Sequence, residues 1–141
     1  MDEMNRENRL GRARELRQRG ESARRRDSAT ARWCYEEAVE LLRGVGEPLV
    51  LAHVVRHLGD VYLEQDCLEM AEPYYHEALK LYASEGDNAS LDLANALRGL
   101  AMLRWEQAKA LWKETQGLYG ALNVAAGVEE SKARLAALMG L

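Results

Sequence analysis

The chain has 141 residues, long enough for one domain with a real core. Hydrophobic residues make up 48% and charged ones 30%, an ordinary composition for a soluble protein, and no stretch approaches the roughly 18 apolar residues of a membrane helix. The net charge of −4 is uneven, because residues 1–26 carry nine arginines against five acids while the rest of the chain is acidic. Phe is absent, prolines stand only at Pro48 and Pro73, and no long run alternates β-branched residues, so an all-α protein is expected. Cys34 and Cys67 are too few and too scattered for a disulfide framework or a zinc site. The N-terminal residues lack the apolar core of a signal peptide, which makes a cytoplasmic protein the expectation.

Residues 1–9 are polar and read as a flexible N-terminus. From about Leu10 a helix is expected, with Leu10, Ala13, Leu16 and Ala23 at roughly helical intervals. Gly11 and Gly20 weaken it by about 1 kcal/mol each relative to Ala. A second helix covers 28–43, with Ser28 as its cap and Cys34 as a buried free thiol beside its apolar stripe. Gly44 and Gly46 end it, and Pro48 suits the first turn of the next helix.

Residues 51–82 hold two amphipathic helices with a break near Gln65 and Asp66. Leu51, Val55, Leu58 and Tyr62 form one apolar stripe; Ala71, Tyr75, Ala78, Leu79 and Tyr82 form the other. Asp66 with Glu69 has capping-box spacing, and Pro73 implies a late start or a kink in the second helix. The run Val55-x2-Leu58-Gly59-x2-Tyr62, then Ala71-x3-Tyr75 and Ala78, resembles the tetratricopeptide repeat, with Val55 in place of the usual Trp. Ala31-x3-Tyr35-x2-Ala38 repeats the second half at an offset of 40. Arg19-Gly20 falls about where Leu58-Gly59 falls, so the first helix resembles a degenerate repeat. The long offsets, and the sequence around Pro73, are similar to the longer repeats of the kinesin light chain type.

After a turn at 84–87, Ser90 or Asp87 is expected to cap a helix starting near Leu91. Residues 93–101 match 51–59 at an offset of 42, but Arg104 stands in place of the repeat's Tyr. Ala108-x3-Trp112 follows at an offset of only 37 from Ala71. Two outcomes fit: a very tight turn between two helices, or one long helix over 91–119. Gly120 and Gly127 flank a short break, and 128–139 forms a capping helix with Glu129, Glu130, Lys132 and Arg134 outward.

The resemblance implies an α-solenoid of stacked antiparallel helix pairs, six or seven helices over 10–141. Its approximate repeats are 10–46, 47–86 and 87–120, with the capping helix after them. It also implies a protein-binding scaffold whose first helices line a concave groove. Carried onto this chain, the groove residues are His53, Arg56, His57, Asp60 and Glu64, then Asn95, Arg98, Met102 and Trp105. Arg56 and Arg98 are equivalent across the offset of 42, and arginine suits bidentate capture of a carboxylate. An acidic partner peptide is therefore one reading of the groove. A solvated face with Asp60 and Glu64 as local partners is the other, and Trp105 serves either as an anchor for a partner or as packing for the following helix.

His53 and His57 have the four-residue spacing of a shared metal, but Arg56 between them repels a cation, and no metal or cofactor is expected. No nucleophile motif or phosphate loop is present, so no enzyme is expected. Two further readings compete with an open groove. One is a homodimer whose groove is filled by a second copy or by the N-terminal segment. The other is nucleic-acid contact through the N-terminal arginines, which the interleaved acids and the lack of stacking aromatics disfavour.

Overall fold

The structure, a computed structural model, describes residues 1–86 and 90–141. Among these residues there are six helices and no strand. They are α1 (Glu3–Ala23), α2 (Ser28–Leu42), α3 (Pro48–Glu64), α4 (Leu68–Ala83), α5 (Ser90–Ala121) and α6 (Ala125–Met139). The chain divides into two compact units, Met1–Leu100 and Ala101–Leu141.

In the first unit α1 packs on α2, α3 on α4, and α2 on α3. The stripes read from the sequence supply the core: Val55, Leu58, Tyr62, Ala71, Tyr75, Ala78 and Tyr82 are all buried, as are Ala31, Tyr35 and Ala38 of α2. Two small-residue contacts repeat along the unit. Gly20 of α1 faces the Tyr35 ring, and Gly59 of α3 faces the Tyr75 ring, where an added Cβ would lie 3.1 and 3.2 Å from ring carbons. Glycine lets each helix pair close onto its aromatic ring. The all-α architecture of packed helix pairs is as expected.

The helix ends differ in detail from the sequence reading. Asp27, not Ser28, caps α2, its carboxylate accepting from the Thr30 amide at 3.1 Å. Asp66 does not cap α4: it adopts φ +58 and closes α3, while Cys67 takes the N-cap position without a side-chain bond. The chain reverses in so few residues that one must take the left-handed conformation, which Asp tolerates. Because α4 begins at Leu68, Pro73 lies inside it rather than ahead of a late start. Asp2 caps α1, which thus begins at Glu3 rather than near Leu10. Asp87, the other candidate cap for α5, lies outside the described residues.

Residues 91–119 form one continuous helix, the second of the two outcomes. Gly120 does not break it, and Gly127 lies inside α6. The turn falls instead at Asn123, with φ +58. In the second unit α6 runs back along the latter part of α5. The Trp105 indole N–H donates to the Leu138 carbonyl at 2.8 Å, and the Tyr119 ring packs on Gly127. Ser131, fully buried, donates to the Gly127 carbonyl at 2.8 Å.

Candidate functional site

Five of the expected groove residues, His53, Arg56, His57, Asp60 and Glu64, follow one another along α3, and the last three meet the C-terminal end of α1. Arg24 is the junction. Its guanidinium donates to Glu64 at 2.6 Å and to His57 Nδ1 at 3.3 Å, and lies 3.7 Å from Asp60. Asp60 also accepts from Tyr75 at 2.5 Å and pairs with Arg56 at 3.5 Å. Burial raises the Asp60 carboxyl above the ordinary carboxylate range, against the pull of the Tyr75 hydroxyl and the two arginines.

Guanidinium nitrogens only donate, so Nδ1 of His57 accepts and carries no proton. Burial, followed by the charges of Arg56 and Arg24, lowers the His57 pKa to about 3. Its ring stacks on Tyr35, with centroids 5.9 Å apart. Burial also lowers His53, whose Nδ1 is hydrogen-bonded with Tyr82 Oη at 2.8 Å and lies 3.7 Å from Asp92 of α5. The two histidines are therefore tied to separate partners. Among the described residues no group of three or more His, Cys, Asp or Glu is placed to hold a metal ion.

Arg56 is only 15% exposed, and its Nε is buried without a hydrogen-bond partner. Its charge is already answered in part by Asp60. Asn95 and Arg98 sit exposed on the first turns of α5, and Arg98 makes no hydrogen bond or ion pair among the described residues. Met102 and Trp105 belong to the second unit, 39% and 40% exposed, and Lys109 lies over the Trp105 ring at 4.2 Å. Trp105 is tethered to α6 through its N–H yet still presents one face to solvent.

The N-terminal arginines are largely engaged. Arg9 donates to the carbonyls of Glu40, Leu41 and Arg43 at the end of α2, the exposed acceptors that a helix C-terminus leaves. Arg6 bonds the Val45 carbonyl and Glu47, and Arg19 lies over the Trp33 ring. Arg14 has no hydrogen bond or ion pair among the described residues.

Sequence reasoning did not include Arg17, Arg24 or Tyr35 in the site. Arg17 was within reach: it stands three residues before Gly20, as Arg56 stands three before Gly59, so one more step of the repeat alignment finds it. Arg24 has no such signal, because its role comes from where the end of α1 meets α3.

No curated protein and no solved structure matches the chain significantly. Among the described residues no helix is long and apolar enough to cross a membrane. A family model does match, covering residues 49–111, which hold the α3–α4 pair and the first two-thirds of α5. That segment matches the tetratricopeptide repeat, a repeat that generally serves as a scaffold for protein–protein interaction.

Proposed function

We propose that the chain is a non-catalytic scaffold that binds an acidic partner peptide along the face made by α1, α3 and the start of α5. One observation carries the reading: Arg98 is exposed and uncommitted, one repeat beyond an Arg56 that Asp60 holds in place. A free guanidinium one repeat on from a locked one leaves one arm to pair. His53 of α3 and Asn95 of α5 add neutral hydrogen-bonding groups. A cytoplasmic setting goes with this reading, since Cys34 and Cys67 are both free thiols.

The test is selection of a random peptide display library on the intact protein, repeated on Arg98→Glu. Arg98 is the better position to reverse, because Arg56→Glu would set a second carboxylate against Asp60 and disturb the fold. Acidic peptides recovered on the first and lost on the second are expected. Recovery of the same peptides on both would contradict the assignment.

A second reading, self-association, draws on the second unit. Leu111 and Leu118 are 63% and 60% exposed on one stripe of α5, and Leu122, just past its end, is 70% exposed. Sedimentation of the wild type against Leu111→Lys/Leu118→Lys checks it, with a dimeric mass in the first and a monomeric one in the second as the supporting result.

A further inference from the structure

A cleft of about 140 Å³ opens between α1, α2 and α3 of the first unit. Leu10, Leu42, Val50 and Val54 make its floor, and Arg14 and Arg17 stand at its rim. None of these residues belongs to the groove stripe described above. We infer that this cleft is a separate subsite that takes an apolar side chain of the bound peptide, with a neighbouring carboxylate held by the two arginines. The inference rests on the reading of this unit as a peptide-binding scaffold.

The floor and the rim ask for different chemistry. An apolar cavity of ~150 Å³ holds a benzene-sized group, so a leucine or a phenyl ring is the right size here. Leu10 and Val50 are half-buried, which leaves the cleft open to solvent and its aliphatic floor wet when empty. At the rim, Arg14 is exposed and has no partner among the described residues. Arg17 has its Nε buried without a hydrogen bond, and its one ion pair is to half-exposed Glu21 at 3.6 Å. A pair of that kind contributes little, so an incoming carboxylate displaces it at small cost.

The ligand is a peptide rather than a nucleic acid because the floor is aliphatic. No aromatic ring lines the cleft on which a base could stack. An apolar residue flanked by acids satisfies floor and rim together.

The experiment uses three synthetic peptides, identical except for a central Asp-Leu-Asp, Asp-Ala-Asp or Asn-Leu-Asn. Their affinities are measured by fluorescence anisotropy for the wild type, Arg14→Glu and Arg98→Glu, with matched thermal melts as the folding control. The wild type is expected to prefer Asp-Leu-Asp by about tenfold over each of the others. Arg14→Glu removes the preference for the acids and keeps that for leucine. Arg98→Glu weakens the acidic peptides but leaves the leucine preference intact. Equal affinity of the wild type for Asp-Leu-Asp and Asp-Ala-Asp overturns the subsite while leaving the groove reading standing. Absence of binding to all three peptides overturns both.

Discussion

His57 is held neutral by its surroundings: Arg24 donates to it, Arg17 and Arg56 repel a proton, and Tyr35 covers one face. Its pKa falls from an unfolded value of 6.5 to about 3. Between those values the unfolded chain binds the extra proton. Stability from this group is therefore full above pH 6.5 and falls as the pH drops toward 3. Asp60, raised by burial, works the other way nearer the carboxylate range, so the informative window is above it. From pH 7 to pH 5 the loss should be about 2 kcal/mol, and His57→Gln should flatten it. Denaturant melts at the two pH values measure both. Glycines allow a second residue-level comparison. A Cβ on Gly99 would run into the Tyr75 ring, whereas one on Gly117 meets nothing. Gly99→Ala should destabilise by about 1–3 kcal/mol, and Gly117→Ala should stabilise by up to about 1 kcal/mol, read from the same melts.

At the level of elements, the sequence was most legible where small and aromatic residues alternate at fixed spacing. Gly59, Tyr62, Ala71 and Tyr75 are core residues because each contact needs both a ring and a gap, and few residue types supply either. Helix ends were less legible. Asp66 has the spacing of a capping residue, yet the tight α3–α4 reversal uses it for its left-handed conformation instead. The length of α5 was open because Ala108-x3-Trp112 imitates the start of a second helix. Residues 101–119 contain no proline, asparagine or aspartate to stop the first one, and the helix runs on. In the site, the α3 stripe was legible as a stripe, and Asp60 as a local partner of Arg56 was one of its two readings, since the pair is four residues apart on one helix. The reach of Arg24 to Glu64 was not legible, because it depends on which helix ends meet. The tether of α6 gives an element-scale prediction. Trp105→Phe keeps an aromatic ring, though a smaller one, and removes the bond to the Leu138 carbonyl, at a cost of about 1 kcal/mol for that bond. Amide exchange in the last turn of α6 should quicken, while exchange in α3 stays unchanged.

For the molecule as a whole, the charge is arranged so that most of it is internally spent. The arginines of α1 close the end of α2 and bind the acids of α3. Arg14, Arg25 and Arg98 are left over in the first unit, and all three are exposed. A scaffold of helix pairs with three uncommitted guanidinium groups suits an acidic partner, and its binding should weaken with added salt. The most direct test is a charge exchange on a peptide selected by the wild type. Arg98→Glu should lower its affinity about tenfold, and replacing the peptide's paired acid by lysine should restore it on the variant alone. If the lysine peptide binds the variant no better than the acidic one does, Arg98 does not meet the partner's charge, and the acidic-peptide groove is wrong.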